Sequence, residues 1–147
     1  FRTSGMAMLN SMGGASGVIF GTMFSDGVKK CNPIYELDLK TFTEIFERSL
    51  VSIKNRGKAS VGDKTMIDAY QPAVETLRKS LSESKTLLDA FKLAEDSAKI
   101  GLENTKKYIA KFGRAKSLME RAIGYQDAGA TSIWIIFRSI KEWIEIN

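Results

Sequence analysis

LLDAFKLAEDSAKIGLENTKKYIAKFG, residues 87–113, is the stretch whose pattern decides the fold. Leu87, Phe91, Ala94, Ala98, Leu102 and Ile109 recur at the three- and four-residue spacing of one helical face, which predicts a long helix stopping near Gly113. Its neighbours in sequence carry the same period. Downstream, Ile133, Phe137, Ile140 and Ile144 form a stripe that follows Asp127. Upstream, Met66, Tyr70, Val74, Leu77 and Leu81 form another, opened by Asp63 and kinked or loosened at Pro72. Before that, Phe42, Ile45, Phe46, Leu50 and Ile53 share a face, with Asp38 or Thr41 as N-cap. The first segment shows two short helical patterns around Gly13–Gly17, with Val18, Ile19, Phe20 and Phe24 expected to pack inward. No stretch alternates with the period of a strand. The expectation is one all-α domain over residues 1–147, an antiparallel bundle with mostly short connections and its longest loop at 25–37.

Composition excludes several functions. The chain has 147 residues, 44% hydrophobic and 27% charged, with a net charge of +5 spread along its length. That balance permits an anionic ligand without pointing to nucleic acid, and no nucleic-acid-reading motif is visible. The single cysteine, Cys31, excludes an intrachain disulfide and a zinc cluster, so a reducing, cytoplasmic setting is expected. Histidine is absent, which removes His-based acid–base catalysis, His metal sites and a phosphohistidine on this chain. No run approaches the ~18 apolar residues of a membrane span. The chain opens on Phe1 without a signal-peptide pattern, so a segment upstream of it is expected.

The chemistry concentrates at three glycine-bearing junctions, each just before a helix: Gly13–Gly17, residues 56–66 (RGKASVGDKTM) and residues 113–132 (GRAKSLMERAIGYQDAGATS). Glycine lets backbone approach a ligand, and the helix start that follows offers N–H donors to an anion. In an up-and-down bundle alternate loops lie at the same end, so several can converge on one pocket. Each residue also has a plainer role. Arg114 and Arg121 can clamp phosphate or simply be solvated. Asp63 and Asp127 are N-caps, or hold a ribose hydroxyl or a metal. Met66 is core, or one wall of an adenine slot. None of the junctions is a Walker A loop.

Taken together, GGASGVIFGTMF at 13–24, RGKASVGDKTMIDAYQPAVETL at 56–77 and GRAKSLMERAIGYQDAGATS at 113–132 resemble the L subunit of dihydroxyacetone kinase (DhaL) and the equivalent domain of single-chain dihydroxyacetone kinases. The order and separation of the three agree with that family over essentially the whole chain. The resemblance implies an antiparallel barrel of about eight helices with ADP or ATP bound among the loops at one end. It places Ala15 and Ser16 at the phosphates, Gly57 and Met66 at the adenine side, and Arg114 with Asp127, Ala128 and Gly129 around the rest. Thr65 and Thr22 are added only from their position beside these loops.

The resemblance also implies an activity: phosphoryl transfer to dihydroxyacetone held on a partner K subunit, by positioning and charge neutralisation and without a protein nucleophile. The nucleotide either exchanges as free ATP or stays bound as ADP and is rephosphorylated by a phosphohistidine protein of the sugar phosphotransferase system. The second is favoured, in a homodimer or hetero-complex. The alternatives are an ATP-dependent kinase for this or another short ketose, and a nucleotide-sensing module without turnover. There are two departures. The family's GDxDxGxN-like aspartate motif, which holds two magnesium ions, is absent from residues 1–147, so the metal ligands are expected in an N-terminal segment lying before this stretch. Tyr125 and Ala128 stand where the family often has histidine and proline, which leaves substrate or partner preference open.

Overall fold

A computed structural model describes residues 1–29, 31–33 and 35–147. Those residues form six α-helices: α1 (Arg2–Ser11), α2 (Gly14–Asp26), α3 (Leu39–Gly57), α4 (Ile67–Ser82), α5 (Leu87–Asn104) and α6 (Ala128–Ile146). Two 3-10 segments, Thr105–Lys107 and Arg114–Ala122, lie between α5 and α6. No strand occurs among the described residues, so the all-α expectation holds. None of these helices is long and apolar enough to cross a membrane. The chain divides into two compact units, Phe1–Lys58 and Ala59–Asn147.

In the first unit α1 and α2 run antiparallel through a seam of small residues. A β-carbon on Gly5 would meet the Ser25 nitrogen and the Gly21 carbonyl, and one on Gly21 would meet the Leu9 side chain. Glycine is required here because the two backbones approach too closely for any side chain. This corrects part of the expected inward face of α2: Val18 is 39% exposed, Ile19, Phe20 and Phe24 are half-buried, and the fully buried positions are Gly17, Gly21, Thr22 and Met23. The apolar pattern missed a face built from glycine. Helix α3 is capped by Asp38, whose carboxylate accepts the Thr41 N–H at 2.8 Å, and it buries Phe42, Ile45, Phe46 and Ile53 as expected. It packs antiparallel to α2, with the Ser49 hydroxyl donating to the Met23 carbonyl at 2.6 Å. The loop expected at 25–37 begins after Asp26, where α2 ends; Lys30 and Ile34 within it lie outside the described residues.

In the second unit α4, α5 and α6 form an antiparallel set. Its centre is a row of aromatic rings, Tyr70 to Phe137 at 6.1 Å and Phe137 to Phe91 at 6.0 Å between centroids, all fully buried. The α4–α5 pairing is as tight as the α1–α2 seam. Gly101 lies against the backbone of Asp68 and Ala69, and α4 runs unbroken through Pro72, whose missing N–H leaves the Asp68 carbonyl without its intrahelical donor. Lys92 of α5 meets Glu145 of α6 at 3.2 Å and Glu95 meets Lys141 at 3.3 Å, which fixes their opposite directions.

Two expected boundaries move. The α5 helix ends at Asn104, nine residues short of Gly113, and Ile109 is 46% exposed. At buried Thr105 the α-helix tightens into the 3-10 segment: its hydroxyl donates back to the Leu102 carbonyl at 2.6 Å, and its own carbonyl accepts both the Tyr108 N–H at 3.2 Å and a side chain from another loop. Asp63 does not cap α4, which begins at Ile67 with Met66 in the cap position. Asp63 is drawn away by an ion pair with Lys111.

Candidate functional site

The junction at residues 59–66 is held by two carboxylates. Asp68, in the first turn of α4, reaches back to accept the Gly62 N–H on one oxygen and the Thr65 N–H, at 2.7 Å, on the other. Asp63 accepts the Ser60 N–H at 2.8 Å and pairs with Lys111, whose own backbone N–H donates to the Asp63 carbonyl at 3.2 Å. The hydrogen bond from Lys111 holds the Asp63 carboxyl below the ordinary carboxylate range against the opposing effect of burial. Burial raises that of Asp68, with the Thr65 and Gly62 N–H groups opposing.

Between these acids lies Lys64, only 3% exposed and in the left-handed region at φ 58°. Its ammonium donates to the Thr105 carbonyl and to the Tyr125 carbonyl, both at 2.6 Å. Burial lowers its pKa, opposed by the charges of Asp127 and Asp68. The Thr105 hydroxyl accepts the Asp127 N–H at 2.9 Å. Three segments distant in sequence are thus joined at one point: the 59–66 loop, the end of α5 and the approach to α6.

Asp127 is the N-cap of α6, its carboxylate accepting the Ala130 N–H at 2.8 Å. Burial raises its carboxyl pKa, which the Ala130 N–H opposes and the charge of Asp68 reinforces. Gly129 abuts Met66: a β-carbon there would lie 3.2 Å from the Met66 β-carbon and 3.0 Å from an Asp127 carboxylate oxygen. The second unit therefore brings Met66, Asp127 and Gly129 together, with Ala128 exposed beside them. Arg114 opens the 3-10 segment and is exposed, and Arg121 is exposed near its end. Thr65 uses its hydroxyl to accept the Ile67 N–H at 3.2 Å.

The first unit holds the other expected residues. Ala15 and Ser16 are exposed in the first turn of α2, whose N-cap, Gly13, supplies no side-chain acceptor. The N–H groups of that turn are open to an anion. Gly57 closes α3 beside Ile19, one turn along α2 from Ser16. Thr22 is buried within α2, which withdraws it from any loop.

Lys64, Asp68 and Thr105 were not singled out from sequence as site residues. An acid in the first turn of a helix is a readable signal for Asp68; the other two gave none. The carboxylates here do not fit a magnesium cluster. Asp63 is committed to Lys111, Asp68 accepts an N–H on each oxygen, and Asp127 caps α6. Among the described residues no group of three His, Cys, Asp or Glu side chains is placed to hold a metal.

Residues 1–142 match the DAK2 domain. The chain is similar to the ADP-binding subunit DhaL of the PEP-dependent dihydroxyacetone kinase of Escherichia coli (strain K12), at 37% identity over 139 residues, covering 95% of this chain and 66% of that relative. It is 36% identical over 143 residues to the ADP-binding subunit DhaL of PEP-dependent dihydroxyacetone kinase 1 of Listeria innocua serovar 6a, covering 97% and 66%. Among solved structures, the dihydroxyacetone kinase from C. freundii in complex with AMP-PNP and Mg2+ superposes with a TM-score of 0.65 at 26% identity, covering 96% of this chain and 22% of that one. The chain thus spans just under two thirds of the length of these two curated relatives. With its three glycine-bearing junctions inside a match that runs over residues 1–142, the chain belongs to the DAK2-domain family.

Proposed function

We propose that residues 1–147 act as one nucleotide-binding domain of a cytoplasmic dihydroxyacetone kinase, holding ADP or ATP while a phosphoryl group passes to dihydroxyacetone on a partner K subunit. The observation that carries the reading is the uncapped start of α2, where exposed Ala15 and Ser16 follow Gly13 and leave backbone N–H groups for phosphate oxygens. The names of the relatives, ADP-binding subunits of PEP-dependent kinases, support it. So does the similarity to a kinase solved with AMP-PNP and Mg2+.

In this reading Met66 and Gly129 border the base, Gly57 lies on the adenine side, Asp127 and Ala128 line the pocket, and Arg114 answers phosphate charge. No side chain here serves as a nucleophile; the contribution is positioning and charge neutralisation. Magnesium on the phosphates needs carboxylates other than Asp63, Asp68 and Asp127, all of which have structural partners. The PEP dependence named for the relatives favours ADP retained as a coenzyme and rephosphorylated by a phosphohistidine protein of the sugar phosphotransferase system.

The test is to purify the full-length protein and identify its bound nucleotide by mass spectrometry, then to follow exchange with ATP. Stoichiometric ADP that exchanges slowly is the expected result. An empty site with rapid ATP exchange overturns the coenzyme reading. Failure to bind either nucleotide in calorimetry overturns the nucleotide-binding reading itself.

A further inference from the structure

We propose that Lys64 is a positioning residue for the nucleotide pocket: by tying the Thr105 and Tyr125 carbonyls to the 59–66 loop, it sets where Met66, Asp127 and Gly129 meet a nucleotide. The inference rests on the reading given under Proposed function and names a residue to which that reading assigns no role.

A buried lysine loses its hydration and demands compensation. A directly paired carboxylate would anchor another side chain rather than main chain. Lys64 is compensated differently: its hydrogen bonds go to two backbone carbonyls, 41 and 61 residues away in sequence. Asp68 and Asp127 act on it only through their charge. A carbonyl bond fixes main chain, and here the main chain fixed is the run just before the α6 N-cap. Tyr125 is two residues from Asp127, and the Thr105 that shares the ammonium also receives the Asp127 N–H. On the other side Lys64 is two residues from Met66, which lies against Gly129. Moving the ammonium would therefore move both walls of the Met66–Gly129 contact. The left-handed backbone at Lys64, unfavourable for a side-chain-bearing residue, is held in this network.

The test uses the full-length protein and calorimetric titration with ADP, well below each variant's melting temperature. Lys64→Met keeps the stem and removes the donors, and it is expected to weaken ADP binding by about tenfold, the scale on which losing a group that orients ligand-contacting residues acts. Lys64→Arg, which keeps charge and donors, is expected to recover part of that loss. Leu77→Ala, a core change away from the pocket, is expected to lower the melting temperature and leave ADP affinity as in wild type. Because Lys64 acts through the approach to α6, combining Lys64→Met with Asp127→Asn should cost less than the product of the single losses. If Lys64→Met does not fold, Lys64→Gln is measured in its place under the same expectations. Wild-type affinity in the folded variant, or strictly multiplicative losses with Asp127→Asn, overturns the positioning role while leaving the nucleotide reading intact. Failure of the wild-type protein itself to bind ADP overturns both.

Discussion

Gly101→Ala sets two physical effects against each other. By helix propensity alone, replacing an interior glycine of α5 with alanine stabilises the protein by about 1 kcal/mol. In the structure a β-carbon at this position collides with the Asp68 carbonyl oxygen and comes within 2.9 Å of the Ala69 α-carbon and the Asp68 carbonyl carbon. All three are backbone atoms of α4, so no flexible side chain can swing aside. The helices must part where Ala69, Tyr70, Ala98 and Leu102 are buried. Overpacking costs about 1–3 kcal/mol, and a backbone obstacle belongs in the upper half of that range. Subtracting the propensity gain leaves a net destabilisation of about 1–2 kcal/mol. For a chain of this size that lowers the melting temperature by roughly 2–8 °C. Urea unfolding followed by far-UV circular dichroism gives the midpoint and slope. Gly57→Ala is the internal control, because its β-carbon would meet only the end of the Ile19 side chain, at 3.3 Å, and neutral or slightly raised stability is expected there. An unchanged or higher midpoint for Gly101→Ala at an unchanged slope would refute the claim that backbone contact, not propensity, decides this position.

Three further outcomes are expected. Arg114→Ala weakens ADP binding and Ser16→Ala does so less; calorimetry that finds both like wild type would displace the pocket. Phe137→Ala, which removes the middle ring of the Tyr70–Phe137–Phe91 row, costs about 3–5 kcal/mol, and a loss under about 1.5 kcal/mol, the range of a volume-conserving swap, would mean that the core does not close on that ring. The third concerns pH. With no histidine in the chain, its side chains that titrate on mild acidification are carboxyls. Asp68 and Asp127 have folded pKa values raised above the ordinary 3.8, so the folded state takes up protons before the unfolded state does, and their contribution to stability rises as pH falls from neutral through those values. Asp63, Asp38 and Glu103 are lowered, and their contributions are lost only as pH falls below the ordinary values, 3.8 for the aspartates and 4.5 for Glu103. Urea midpoints that fall steadily from pH 7 to pH 5 would contradict this assignment.

How much of this was legible depended on what each position buries. Stripes built from large apolar residues, such as Phe42–Ile53 and Phe91–Leu102, were readable because hydrophobic period and burial coincide there. The inner face of α2 was not, because its contact is made by Gly17 and Gly21, which score as turn formers rather than core. The same limit explains the long helix drawn to Gly113. Ile109 continues the period, but the α-helix ends beside Thr105, whose carbonyl also accepts a lysine 41 residues upstream that no local window contains. At the site, the glycine junctions and the Asp127 cap announced themselves through short-range chemistry, and the cap is where it was expected. Lys64 could not, since a lone lysine in a polar glycine-bearing loop reads as solvated. Its burial follows from two carbonyls that approach only when the 59–66 loop, the end of α5 and the start of α6 are already assembled. The residues proposed to bind a ligand are thus easier to read from a chain than the residue proposed to fix where they stand. The first kind needs only local geometry; the second is defined by the fold it helps to complete.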